Sequence, residues 1–318
     1  MPFNVSLTCG YVLLTGDAQA GADLVKDATI ALKRAKRDHR GGALQYLDDM
    51  GTEARARAVL LTDLRAAIDD GLLFLVYQPQ IDLLTGALIG LEALARWRTR
   101  AGELVPPDHF IPVAEHSGLI VPLGRWVLDT ACATMRRLLD AGLAPQRMAI
   151  NVSMVQLRDP RFHDRVCTAL ARAGLQGHHL ELEITESVAV LPTELLEATL
   201  GALRARGISI AIDDFGTGYS SLSCLERLPL DRIKIDRAFV RQLGETDGAR
   251  IAEMVAQLGR KLGLEVLAEG IEDGAIYQAL LAIGCHQGQG FHIARPMAEE
   301  ALVGWLRSQA GATRAANA

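Results

Sequence analysis

Residues 208–236 read ISIAIDDFGTGYSSLSCLERLPLDRIKID, and two short apolar runs stand out in them. Ile208–Phe215 and Arg232–Asp236 have the length and β-branched content of strands. The first ends in Asp213 and Asp214, and the second carries Lys234. The same unit recurs outward in both directions. Upstream it is found at Leu72–Gln78, Leu88–Arg96, Met148–Ser153 and Leu180–Thr185, and downstream at Leu264–Ile271 and Gly288–Ala294. Eight strand candidates with intervening helical segments predict an α/β fold, a (β/α)8 barrel of the TIM type. A doubly wound open sheet shows the same alternation, and periodicity alone does not separate the two.

Around this region the chain has a simpler character. Residues 1–47 combine a strand-like stretch, Val5–Leu14, with a helix candidate from Gly21 to Asp38 that the Gly41-Gly42 pair ends, a short α/β extension. Residues 48–70 are charged, with Val59, Leu60, Leu64 and Ile68 at helical spacing, and read as a connector helix. The barrel is assigned to residues 71–308, and the alanine-rich segment 309–318 reads as a flexible tail.

The bulk composition excludes several classes. A chain of 318 residues can bury a core large enough to need no disulfide staple. The five cysteines, Cys9, Cys132, Cys167, Cys224 and Cys285, are scattered without a CxxC pair, which suits a reducing compartment rather than a disulfide framework or zinc site. The net charge of −5 argues against a broad nucleic-acid surface. No apolar run approaches the ~20 residues of a spanning helix, and the N-terminus lacks the pattern of a signal peptide. The expectation is a cytoplasmic chain with no membrane contact of its own; an anchor in a longer parent protein stays open.

The strands end in charge, and this carries the chemistry. Glu92, Asn151, Glu183, Asp213 with Asp214, Lys234, Glu269 and Gln289 each fall in or just after a different strand candidate. In a barrel the C-terminal strand ends converge on one face, where the active site lies. A cluster of oxygen donors there suits hard divalent cations such as Mg²⁺ or Mn²⁺. The adjacent Asp213 and Asp214 could serve two ions, which together stabilise the attacking and leaving oxygens of a displacement at phosphorus. Taken singly, each residue has an ordinary explanation: an edge charge, a turn at Asp213-Asp214-Phe215-Gly216, a solvated lysine. Jointly they do not, because independent surface charges should not all fall at strand ends. Other motifs are weaker. There is no HExxH, no P-loop and no GxSxG, His163-Asp164 lacks the further histidines of a phosphohydrolase, and His178-His179 has no ligand spacing.

These residues sit in short motifs that follow one another in a fixed order. Tyr77-Gln78-Pro79 leads to Glu92-Ala93-Leu94 and Arg96-Trp97. Asn151-Val152-Ser153, Glu181 to Glu186 (ELEITE) and Asp213 to Gly218 (DDFGTG) follow. Lys234-Ile235-Asp236, Ala268 to Glu272 (AEGIE) and Gln289-Gly290-Phe291 before Arg295-Pro296 complete the set, over roughly residues 60–308. The set resembles the EAL-domain phosphodiesterases, and the resemblance implies metal-dependent hydrolysis of cyclic di-GMP to linear pGpG, and a first barrel strand that runs antiparallel. It implies that Glu92, Asn151, Glu183 and Asp213 hold one metal ion while Asp213 and Asp214 hold a second. Lys234, Glu269 and Glu92 would carry catalysis, Lys234 at the nucleophilic water and Glu269 in support of the second ion. Gln78, Leu94 and Arg96 would line the substrate site, Gln289 would complete it, and Asp236, Glu272 and Phe291 would contact a guanine. Glu186 would anchor the loop after Asp214, and the barrel would form a homodimer. His286 and His292 depart from the usual residues, away from every expected ligand. The alternative, a catalytically silent cyclic-di-GMP receptor, should have lost metal ligands or the lysine, and here every such position is filled. A dimerisation or partner-binding module with a vestigial pocket is the third reading, and the intact set argues against it.

The first 47 residues resemble the C-terminal end of a GGDEF domain. Ala22-Asp23-Leu24, Ala28 and Ala31 to Arg37 (ALKRAKR) match that domain's last helix, and the GGDEF signature itself is absent. The resemblance implies that the chain is a fragment of a longer tandem protein, and the missing signature that this chain itself does not make cyclic di-GMP.

Overall fold

The computed structural model describes residues 5–14, 21–143, 145–186, 194–216, 225, 227–244 and 246–316. The chain divides into two compact units, Met1–Ala66 and Ala67–Ala318, and the division falls within the helix Asp48–Asp69.

In the first unit, strand β1 (Cys9–Tyr11) pairs in parallel with β2 (Ala43–Gln45), and the helix Gly21–Asp38 joins them. Parallel neighbours need such a crossover. The helix packs close: a Cβ on Gly10 would lie 2.1 Å from the Leu32 backbone nitrogen, so only glycine fits at the centre of β1. Ala31 and Ala35 are the small buried residues of that helix.

In the second unit the strands are β3 (Leu73–Asp82), β4 (Leu88–Arg98), β5 (Leu104–Val105), β6 (Arg147–Val152) and β7 (Leu180–Thr185). They continue with β8 (Ser209–Phe215), β9 (Arg232–Ile235), β10 (Glu265–Ala268) and β11 (Gln287–Gly288). The order β3-β11-β10-β9-β8-β7-β6-β4 closes through a β3–β4 pairing, giving an eight-strand barrel, while β5 hangs on β4 as a short hairpin. β3 is antiparallel to both of its barrel neighbours and the remaining pairs are parallel, which excludes the open doubly wound sheet. Helices cover the outside. In Ile120–Asp140, for example, Leu123, Val127, Ala131, Met135 and Leu138 recur every three or four residues and are buried.

Several strands differ in length from their sequence reading: Val5–Leu14 shortens to Cys9–Tyr11 and Leu264–Ile271 to Glu265–Ala268. β3 runs on through Pro79 to Asp82. The last candidate contracts to Gln287–Gly288, because the chain then crosses directly over the Ile271 backbone: a Cβ on Gly290 would sit 2.2 Å from the Ile271 nitrogen. The C-terminal helix Glu299–Ala316 extends through most of the segment read as a tail, and alanine is the strongest helix former. Among the described residues no helix is long and apolar enough to cross a membrane.

Candidate metal centre

Successive side chains of a strand point to opposite faces, so residues two apart share the barrel interior. Glu92 on β4, Asn151 on β6, Glu183 on β7, Asp213 on β8 and Lys234 on β9 all point inward near the C-terminal strand ends, with Glu269 just past β10 and Gln289 just past β11. Lys234, fully buried at 0% exposure, is the hub. Its Nζ lies 2.7 Å from Glu269, 2.8 Å from Glu183, 3.2 Å from Asp213 and 3.8 Å from Glu92. Asn151 Nδ2 donates to Glu92 Oε1 at 2.8 Å. Gln289 Nε2 donates to Glu92 Oε2 at 2.6 Å and to Glu269 Oε1 at 2.8 Å.

Adjacent Asp213 and Asp214 would ordinarily face opposite ways. The β8–β9 ladder slips between Ile212 and Phe215, and Asp214 has φ +54°, making it the only non-glycine residue with positive φ among the described residues. A bulge with a left-handed residue re-aims a side chain at modest cost. Both carboxylates thereby reach the same neighbourhood: oxygens of Asp213, Asp214 and Glu269 come within 4.8 Å of one another, as do those of Glu92, Glu183 and Asp213. Glu186 Oε2 accepts from the Gly216 amide at 2.9 Å, at the entrance to residues 217–224, which lie outside the described residues.

The electrostatics show surplus anion. Burial, together with the nearby Glu92 carboxylate, pushes Glu183 well above the usual carboxylate range. Burial and the Asp213 and Glu92 charges push Glu269 up to about 8 despite Lys234. Asp214 is raised to about 6 by burial and by the Asp213 and Asp236 carboxyls. Asp213 is raised by burial and Glu92. Glu92 is the exception: burial acts upward, but the Lys234 charge and the bonds from Gln289 and Asn151 hold it below its ordinary value. Burial acts to lower Lys234, and the carboxylates of Asp213, Glu183, Glu269 and Glu92 outweigh it and raise it well above its ordinary value. Two overlapping triads of carboxylate oxygens, short of positive charge, fit hard divalent cations.

The remaining sequence candidates are spread around this centre. Leu94 and Arg96 stand two and four residues beyond Glu92 on the same strand, both half-buried. Gln78 is buried opposite Glu92 and donates to the Ala294 carbonyl at 3.1 Å. Asp236 caps the helix Arg237–Arg241 by accepting from the Ala238 amide at 2.8 Å. Glu272 and Phe291 are not in the carboxylate cluster: Glu272 pairs with Arg241, and Phe291, 50% exposed, lies under the Arg295 guanidinium at 4.4 Å. Beneath the centre is a second charged layer that the sequence reading passed over. Arg232 Nη1 is 2.7 Å from Glu181 Oε1, Arg232 Nη2 is 2.7 Å from Glu265 Oε2, and Arg147 reaches the same two carboxylates at 3.1 and 3.2 Å. Glu181 and Arg232 precede Glu183 and Lys234 by two residues, and that same-face spacing is the signal that could have found them.

Comparison with known proteins gives a family and several relatives. The model of the EAL domain matches residues 61–296. The bifunctional diguanylate cyclase/cyclic di-GMP phosphodiesterase MucR of Pseudomonas aeruginosa is 42% identical over 301 residues, covering 94% of this chain and 44% of MucR. The cyclic di-GMP phosphodiesterase PA2567 of the same organism is 37% identical, covering 96% of this chain and 52% of its own length. The chain thus spans about half the length of the curated relatives it matches. A solved structure of the PaMucR phosphodiesterase in complex with c-di-GMP matches at TM-score 0.74 and 45% identity, covering 76% of this chain and 99% of that one.

Proposed function

The chain belongs to the EAL domain family, and from that we infer that its barrel is a metal-dependent phosphodiesterase that hydrolyses cyclic di-GMP to linear pGpG. The observation that carries this is the cluster around Lys234: four inward carboxylates about one buried ammonium, at the barrel end where active sites form. The named activities of MucR and PA2567 support the same substrate.

Glu92, Asn151, Glu183 and Asp213 would hold one divalent ion, and Asp213 with Asp214 a second, Mg²⁺ or Mn²⁺. Bound there, such ions supply Lewis-acid polarisation of the phosphoryl group and a nucleophile at neutral pH. Lys234 Nζ would orient the attacking water, and Glu269 would accept hydrogen bonds from waters beside the second ion. Arg96, with its planar donors, would face a substrate phosphate. Gln78 and Leu94 would line the cleft and Gln289 would complete it, with Asp236, Glu272 and Phe291 toward a guanine. Glu186 would anchor the loop that begins at Gly216.

The parent protein is read as a tandem one. Residues 1–47 would be the end of a GGDEF-like domain, 48–70 a connector and 71–308 the hydrolytic barrel, working as a cytoplasmic homodimer. The bifunctional character of MucR agrees with that arrangement.

Conversion of cyclic di-GMP to pGpG by the purified chain, with Mg²⁺ or Mn²⁺ and an EDTA control, tests the reading. Turnover that depends on metal and falls sharply in Glu92→Ala is expected. Binding without turnover under either metal would make the chain a receptor instead.

A further inference from the structure

Gln289 touches both Glu92 and Glu269 through one atom, Nε2. A carboxamide does this only with its nitrogen toward both groups; turned over, it would set a carbonyl oxygen against Glu92, the carboxylate that Lys234 keeps ionised. The other side of the same amide is also committed. Gln289 Oε1 accepts from Gln80 Nε2 at 3.0 Å. Gln80 presents its nitrogen there because its own Oε1 accepts from Arg232 Nη1 at 3.2 Å, and a guanidinium offers donors alone. Arg232 is in turn fixed between Glu181 and Glu265.

The result is a chain of forced orientations from the lower charged layer to the upper one. Gln80 and Arg232 are both at 0% exposure, so bulk water does not compete for these bonds. The neighbouring strand makes room for the relay: a Cβ on Gly90, which pairs with Gln80, would stand 2.6 Å from Gln80 Oε1.

We propose that Gln80 is a positioning residue for the carboxylate centre, setting through its bond to Gln289 which face of that amide meets Glu92 and Glu269. Its own side-chain bonds go to Gln289 and Arg232. The inference rests on the hydrolytic reading of the centre, and the experiment below separates the two.

Two variants are compared with the parent chain, Gln80→Glu and Gln80→Met. The glutamate still accepts from Arg232 but cannot donate to Gln289, so the Gln289 amide is expected to turn its nitrogen toward position 80. The methionine removes both bonds at similar volume. The readouts are the Gln289 side-chain amide resonances of the metal-free protein, the melting temperature, and kcat, KM and half-saturating Mn²⁺ on cyclic di-GMP.

Expected are displaced Gln289 amide resonances in both variants, together with kcat lower and half-saturating Mn²⁺ higher by about 10- to 100-fold. KM should move by less than about 3-fold, since uniform substrate binding is not what is lost. Unmoved Gln289 resonances with parental kcat and Mn²⁺ response would overturn the proposal. So would activity lost only in step with folded protein while those resonances stay in place. If the methionine variant does not fold, the glutamate variant decides alone, because it keeps the acceptor for Arg232. If the parent chain shows no turnover, the hydrolytic reading has failed, and the Gln289 resonances still decide the positioning.

Discussion

At the floor of the barrel two guanidinium groups, Arg147 and Arg232, face two carboxylates, Glu181 and Glu265. One layer up, a single ammonium on Lys234 faces four carboxylates, with Asp214 beside them. The layers share β7, with Glu181 and Glu183, and β9, with Arg232 and Lys234, and their proton affinities diverge. Burial acts to raise Glu265, yet Arg232 and Arg147 hold it below its usual range. In the upper layer Glu183, Asp213 and Glu269 are all raised. A layer that neutralises itself needs nothing further and braces the barrel. A layer with surplus anion suits cations, and cations at the proposed phosphodiesterase centre would stabilise a displacement at phosphorus.

The largest effect that sharpens this contrast is on chemistry. Glu183→Gln keeps the shape of the upper layer but removes one carboxylate of the proposed metal centre, and turnover should fall by ~10³-fold, about 4 kcal/mol on the barrier. The same change should leave the fold intact, because a carboxylate repelled by its neighbours has gone. A large drop in melting temperature in Glu183→Gln would erase the distinction between layers.

Next comes stability at the floor. Arg232→Ala takes the closer of two guanidinium partners from the fully buried Glu181, leaving it Arg147 at 3.1 Å, and should cost about 3 kcal/mol of folding free energy in urea titrations, the low end for breaking a buried pair. A loss under about 1 kcal/mol, the range of an exposed pair, would mean the floor does not brace the barrel.

The smallest effect is the opposite pH dependence of the two layers in metal-free protein. Glu269, at about 8, and Asp214, at about 6, hold protons when folded in a range where unfolded carboxylates have lost theirs. Their share of stability is therefore present at low pH and lost as pH rises through 6 to 8. Glu265, depressed in the fold, contributes above the ordinary carboxylate range and loses its share as pH falls through its lowered value. Urea titrations from acid to pH 9 should show a decline on the alkaline side that Mn²⁺ abolishes; a profile rising steadily to pH 9 without metal would contradict it.

How much of this could be read beforehand depends on how far each interaction reaches along the chain. The strands and their charged ends were legible, because strand length and apolar runs are local signals, and Leu180–Thr185 is observed with the bounds read from sequence. The closure of the barrel was legible only through the family resemblance, which implied the antiparallel first strand that β3 provides between β4 and β11; periodicity left the open sheet standing. The pairing of Gln80 with Gln289 spans 209 positions and leaves no local trace. Asp213 and Asp214 read as adjacent acids, but strand alternation sends them apart; only the left-handed backbone at Asp214 brings both to one place.

Anomalous diffraction from crystals grown with Mn²⁺ tests the central contrast most directly. Two peaks are expected in the upper layer, one among Glu92, Asn151, Glu183 and Asp213 and one between Asp213 and Asp214, with no peak beside Arg232. An upper layer without anomalous signal at saturating Mn²⁺, Lys234 still seated among its carboxylates, would contradict a metal centre there.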